Sequence, residues 1–141
     1  MFNFMETKNI IIFEKYDGVR FVLQRSLAKF ADEVTIRTSH WKNEVKKMID
    51  RDGVDLLITE LSRANPEGLE ISRYVRKTHP DISIIWITVL GCNLFRDQKE
   101  KIGNVLCIEK PLEINHFREN VLQALEEVDG GVQGQPNEQP T

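Results

Sequence analysis

Cysteine is scarce in this chain, with two residues, Cys92 and Cys107, among 141. Two thiols cannot build a disulfide framework, which excludes a small secreted scaffold stapled by bridges. The pair reads as buried thiols in a reducing, cytoplasmic compartment, with a bridge between them as the lesser alternative. Long apolar runs are missing too. None approaches the roughly 20 residues that a bilayer crossing takes, and Met1 to Lys8 has neither the basic start nor the apolar stretch of a signal peptide. Neither sign of charge dominates: 19 Lys and Arg against 22 Asp and Glu leave a net charge of −3. With no dense basic block, nucleic acid and anionic membranes are set aside as main partners. Only 8 glycines and 5 prolines are present, which excludes a collagen-like chain. What remains is 40% hydrophobic and 29% charged, ordinary for a globular protein. The length fits one domain, able to hide roughly 68–70% of its unfolded surface.

Residues 1–8 read as an N-terminal extension, 9–129 as the folded domain, and 130–141 as a disordered tail or linker. That last stretch holds three of the eight glycines, two of the five prolines and one aliphatic residue, Val132. Such a composition cannot offset the entropy of ordering.

Within the domain, strand-length apolar runs alternate with helical patterns. The runs are Ile10 to Phe13, Val34 to Arg37, Val54 to Ile58, Ile82 to Val89 and Val105 to Ile108. Four of the five are apolar on both faces, the mark of a parallel sheet covered by helices on each side, while Val34 to Arg37 alternates as an edge strand would. Five helical patterns follow in turn. They are carried by Val19, Val22, Leu23 and Phe30; by Trp41, Val45, Met48 and Ile49; by Leu69, Ile71 and Val75; weakly by Leu94, Phe95 and Ile102; and by Ile114, Phe117, Val121, Leu125 and Val128. The third is bounded by Pro66 and by His79-Pro80. Trp41 and Trp86 are expected in the core, and Arg73, Arg76 and Lys77 on the wet face of the third helix. Strand then helix, five times, predicts an α/β doubly wound three-layer sandwich.

Sites in open parallel sheets form where the strands end. Glu14 and Lys15 follow the first run, Thr59 and Glu60 the third, Thr88 closes the fourth, and Glu109-Lys110-Pro111 the fifth. Carboxylates, a hydroxyl and ammonium groups should therefore meet in one crevice.

At these residues the chain resembles the CheY-like receiver domains of two-component response regulators. The likeness runs from Asn9 to about Glu127. It is carried by Ile10-Ile11-Ile12-Phe13-Glu14, by Val54 through Glu60, by Pro66-Glu67-Gly68-Leu69-Glu70, by Ile84 through Thr88, and by Cys107-Ile108-Glu109-Lys110-Pro111. The spacings suit it: 45 residues from Lys15 to Glu60, 28 from there to Thr88, and 22 on to Lys110. The resemblance implies a (βα)5 flavodoxin-like fold with strand order 2-1-3-4-5 and a role in bacterial phosphorelay signalling. In such receivers two acids and an acceptor Asp hold Mg²⁺. The Asp attacks a phosphoryl group, metal and Lys offset the developing charge, and a Thr/Ser hydroxyl and an aromatic on the fifth strand turn inward.

This chain departs from that pattern at the chemistry itself. Glu60 stands at the phosphoacceptor position, Glu14 and Lys15 at the acidic pair, and Cys107 at the switch aromatic, whereas Thr88, Lys110 and Pro111 agree. An ammonium in place of a metal-binding carboxylate swings the local charge by two units and removes an oxygen ligand that a hard cation wants. Glu14, Lys15, Glu60 and Lys110 then sum to zero, and Lys15 is expected to pair with Glu60. The longer Glu60 side chain would also misplace an acyl phosphate. The expectation is a pseudo-receiver with no enzymatic activity, no cofactor and no metal. It would dock on a protein partner or a second copy through the fourth helix, fifth strand and fifth helix. The alternative is an active regulator that takes phosphate from a histidine kinase at Glu60 or another carboxylate, and this one needs Mg²⁺. A flavodoxin-like cofactor binder is disfavoured because Glu14 to Gly18 lacks a phosphate cradle. The scattered His40, His79 and His116 offer no metal cluster, and no hydrolytic triad is apparent.

Overall fold

The structure, a computed structural model, describes residues 6–63 and 66–130, with side chains up to 126. The expected tail over 130–141 lies, but for the backbone of Gly130, outside the described residues. Five strands form one parallel sheet: β1 (Lys8–Phe13), β2 (Val34–Ser39), β3 (Leu56–Leu61), β4 (Ser83–Thr88) and β5 (Val105–Glu109). Their order is β2-β1-β3-β4-β5. The helices are α1 (Asp17–Leu27), α2 (Lys42–Asp52), α3 (Glu67–Thr78), α4 (Arg96–Ile102) and α5 (Ile114–Gly130). Short 3-10 turns over Ala28–Phe30 and Cys92–Phe95 extend α1 and precede α4. The strand-one boundary falls at Lys8, one residue before the expected domain start.

Side-chain alternation divides the core in two, because neighbouring strand residues point to opposite faces. Ile10 and Ile12 join Leu23, Leu27, Phe117, Val121 and Leu125 under α1 and α5. Ile11 and Phe13 join Val45, Ile49, Ile71, Val75, Trp86 and Phe95 under α2, α3 and α4. Two helices end at glycines in the left-handed region, Gly53 (φ 75) and Gly103 (φ 78), which lets the chain turn back into β3 and β5 without a Cβ penalty. Inside the second layer the Trp86 indole N–H donates to Ser72 Oγ at 2.9 Å, and that hydroxyl donates to the Gly68 carbonyl at 2.8 Å. The buried indole is thus tied to the first turn of α3 rather than left unsatisfied.

Four expectations about packing need correction. Trp41 is 62% exposed and lies against His40, because it precedes α2 as its N-cap instead of sitting on its inner stripe. Val22 is exposed as well, and Leu27, one turn beyond Leu23, takes the inward position. The fifth run is not covered on both faces. In β5 only Ile108 is buried, and Leu106 is 40% exposed, because β5 is the far edge of the sheet. Arg76 does not lie in water either. Its guanidinium donates to the carbonyls of Ile82 and Gly103, each at 2.7 Å, and of Ile102 and Pro80, each at 3.0 Å. That clamp holds the C-terminal end of α4 and the start of β4 against α3, and burial lowers the guanidinium pKa. The side chain of Val128 falls outside the described residues.

Gly68 sets how closely α3 approaches the sheet. A Cβ built there would stand 2.5 Å from the Glu60 carbonyl oxygen, 2.8 Å from Leu61 Cδ2 and 2.9 Å from Thr59 Oγ1. The first of these is main chain inside β3 and cannot yield without moving the strand. Gly68→Ala gains about 1 kcal/mol of helix propensity but forces α3 outward, at an overpacking cost of about 1–3 kcal/mol. The expected net is a loss of up to about 2 kcal/mol, read as a lowered urea midpoint.

Candidate functional site

The parallel strands bring their carboxyl ends to one edge, where Leu61 is level with Thr88, and Thr88 with Glu109. Glu14 leaves β1 and is 1% exposed. Its Oε2 accepts from the Tyr16 N–H at 3.1 Å, and its main-chain carbonyl accepts from Arg20 at 2.8 Å. Arg20 also pairs with Asp17, so the first turn of α1 folds back over the loop that carries Glu14. The other oxygen, Oε1, has no hydrogen-bond partner. The nearest cation is the Lys110 ammonium at 3.9 Å, an ion pair without a hydrogen bond. A buried carboxylate oxygen left in this way carries a desolvation cost that a strand-end loop would not ordinarily accept.

Glu60 lies within β3, one residue before its end, and is half-buried. Its pKa is raised above the usual glutamate value of 4.5, first by burial and then by the neighbouring Glu14 charge, with Lys110 and Lys15 opposing. A raised acid pKa means that the folded state holds the proton more tightly than the unfolded chain does. Stability from this group is present below 4.5 and is lost as pH rises through the raised folded value. Glu60→Gln is therefore expected to stabilise the fold at neutral pH by less than about 1 kcal/mol, given solvent screening. Urea unfolding of the two proteins at neutral pH and again below pH 4.5 should show that advantage vanish at the acid end.

Lys15 does not pair with Glu60 as expected. Its ammonium binds Glu67 Oε1 at 3.1 Å, at the start of α3, and influences Glu60 only through space. The reason is geometric: Lys15 and Glu67 are both partly exposed at the mouth of the crevice, whereas Glu60 is half-buried and close enough to Glu14 to feel its charge. The capture of Lys15 leaves Glu14, Glu60 and Lys110 inside, with a net formal charge of minus one rather than zero. Glu67, within Pro66-Glu67-Gly68-Leu69-Glu70, is a crevice residue that the sequence does not single out. Its position at the start of the helix that caps the crevice was the signal for its role.

Thr88 is fully buried, and its hydroxyl accepts from the Leu90 N–H at 3.1 Å. Lys110 N–H donates to the Thr88 carbonyl at 2.8 Å, and the Lys110–Pro111 peptide is cis. Cys107 is opposite Trp86 in β5 and is not a free thiol: it is joined to Cys92, with Cα atoms 6.0 Å apart. The reading of two buried thiols is thereby corrected. Both cysteines are only half-buried, and the turn after β4 brings Cys92 across to the edge strand.

The donor set tests the divalent ion that a receiver-like crevice implies. Two carboxylates, Glu14 and Glu60, lie close there, and Lys15 stands where the resemblance implies a third oxygen ligand. Among the described residues, no group of three or more His, Cys, Asp or Glu side chains is placed to share a metal ion. A hard cation that asks for several oxygens finds one ligand too few and a positive charge at the mouth.

No protein-family model matches the chain. The response regulator protein PilR of Pseudomonas aeruginosa is 24% identical over 121 residues, 86% of this chain and 27% of that protein. The cyclic di-GMP phosphodiesterase response regulator RpfG of Xanthomonas campestris is 27% identical over 120 residues, 82% of this chain and 32% of that protein. The chain thus spans about a third or less of the length of these relatives. Among solved structures, a CheY-like response regulator receiver domain from Methanospirillum hungatei superposes with a TM-score of 0.77 at 19% identity. That match covers 90% of this chain and 100% of that one. The fold is that of the CheY-like receivers. No helix among the described residues is long and apolar enough to cross a membrane.

Proposed function

We propose that the chain is a receiver-like module of two-component signal transduction that is not switched by Mg²⁺-dependent aspartyl phosphorylation, and that it acts by docking on protein. One observation carries this reading: the second position of the acidic pair is Lys15, held at the mouth of the crevice by a 3.1 Å ion pair to Glu67. Glu60 at the acceptor position supports it, since its side chain, one methylene longer than that of Asp, would misplace an acyl phosphate. No catalytic residue, cofactor or metal belongs to this reading. The docking face is assigned to α4, β5 and α5, where Leu106 (40%) of β5 is exposed, beside Leu94 (47%) in the 3-10 turn before α4. Its occupant is a protein partner or a second copy.

Phosphotransfer at Glu60, from a histidine kinase and with Mg²⁺, is the second reading. The unpartnered buried Oε1 of Glu14 favours it, because a cation would satisfy that oxygen. One experiment separates the two. The chain is incubated with acetyl phosphate and Mg²⁺ and its intact mass is measured. An unchanged mass is expected; a stoichiometric phosphate adduct, absent from Glu60→Gln, overturns the proposal.

A further inference from the structure

The two cysteines join the turn after β4 to the edge strand β5. Cys92 opens the 3-10 turn that follows β4, and Cys107 is the middle residue of β5. A second tie runs beside the bridge: the Cys92 N–H donates to Glu109 Oε2 at 2.9 Å. Between Thr88 and Cys92 the chain carries Val89, which is 66% exposed, and Leu90, whose N–H engages the Thr88 hydroxyl. Beyond Cys92 come exposed Leu94 and buried Phe95, the latter edge-on to Trp86 with ring centroids 6.3 Å apart. The segment from Val89 to Phe95 is thus fastened at its centre to an edge strand that has little burial of its own.

We propose that Cys92 and Cys107 are a reversible thiol–disulfide switch, and that the bridge fixes the segment 89–95 against β5. The proposal rests on the reading above for the meaning of the β5 face, and on the geometry of the pair alone for the chemistry. The Cα separation of 6.0 Å lies inside the ordinary range for a bridge. Neither residue is fully buried, so the pair is not sealed inside the core. The oxidant is a low-molecular-weight disulfide of the glutathione type. One cysteine thiolate attacks it, forms a mixed disulfide and expels one small thiolate. The second cysteine then attacks the protein sulfur of that mixed disulfide and expels the other small thiolate. The two cysteine protons pass to the two leaving thiolates, and two electrons pass from the protein to the small disulfide. With the bridge open, the turn keeps only noncovalent ties, among them the Cys92–Glu109 hydrogen bond and the packing of Phe95 on Trp86. Leu94, Phe95 and the Thr88–Leu90 contact are then free to rearrange on the docking face.

The test uses the whole chain, equilibrated in glutathione buffers from fully reducing to fully oxidising. Each sample is quenched in acid and alkylated with a maleimide, and its intact mass is read. Parallel samples undergo hydrogen exchange. The expected result is a smooth passage from two alkylated thiols to none. Reduction is expected to quicken exchange at least about tenfold in 89–95 and 105–109, with β1 and β3 unchanged. Cys92→Ser and Cys107→Ser are expected to show the fast pattern in every buffer. If either variant fails to fold, the reduced wild-type chain supplies the same measurement. A bridge that survives every ratio overturns the proposal, as does a pair that never closes, or a reduction that leaves exchange in these segments unaltered. Alkylation reads the cysteines and the phosphodonor experiment reads Glu60, so each idea can fail without the other.

Discussion

Lys15→Asp combined with Glu60→Asp is expected to confer Mg²⁺ binding on the crevice, and with it phosphorylation by acetyl phosphate. The charge term decides this. Two unit charges 4 Å apart near a protein surface interact by about 4 kcal/mol, and a divalent ion doubles the stake. Exchanging an ammonium for a carboxylate reverses the sign of that interaction and supplies the missing oxygen ligand. Shortening Glu60 by one methylene only corrects position, a smaller effect in the absence of the ion. The single variants should therefore be unequal. Lys15→Asp alone should tighten Mg²⁺ binding at least about tenfold, or about 1.4 kcal/mol, while Glu60→Asp alone should leave it near the wild-type level. Calorimetric titration with Mg²⁺ and intact mass after phosphodonor treatment check both statements. A phosphate adduct on Glu60→Asp alone, or a double variant without Mg²⁺ affinity, would show that Lys15 is not what closes the crevice to phosphate.

The extent to which this arrangement was legible beforehand follows from physical range. Strand and helix order were readable because they depend on local apolar periodicity. The runs at Ile10 to Phe13 and Ile82 to Val89 became β1 and β4 within a few residues of their expected bounds. The meeting of Glu14, Glu60, Thr88 and Lys110 was readable because parallel strands end on one edge. The partner of Lys15 was not, since side-chain pairing depends on how near the first turn of α3 comes. That distance is set by Gly68, whose missing Cβ admits the Glu60 carbonyl. Trp41 shows another limit: at the end of a helical pattern a large ring counts as part of the stripe, yet as N-cap it points outward. The bridge escaped the composition argument for a different reason. Compartment and cysteine count say nothing about two positions 15 apart that a parallel crossover brings together, one in the turn after β4 and one within β5.

Reduction of the Cys92–Cys107 bridge is expected to lower the stability of the fold by about 3 kcal/mol, the loop-closure value for a crosslink spanning 15 residues. Against the roughly 5–15 kcal/mol that separates a folded domain from its unfolded chain, this is a large share. The effect arises in the unfolded ensemble, which regains the freedom the crosslink removed. The site adds a reason for it to be felt. β5 keeps one buried side chain, Ile108, and pairs only with β4, so it has little other burial to hold it. With a urea slope of about 1–3 kcal/mol per molar, the midpoint should fall by about 1–3 M. The slope itself should rise, because the reduced chain exposes more surface when it unfolds. Reduced wild type, Cys92→Ser and Cys107→Ser should agree with one another, since each lacks the same crosslink. A fall below about 0.5 kcal/mol in all three would mean that the native bridge is strained, or that the unfolded chain is already compact around residues 92–107. A fall confined to one variant would instead trace to that side chain's own packing, since the crosslink is common to both.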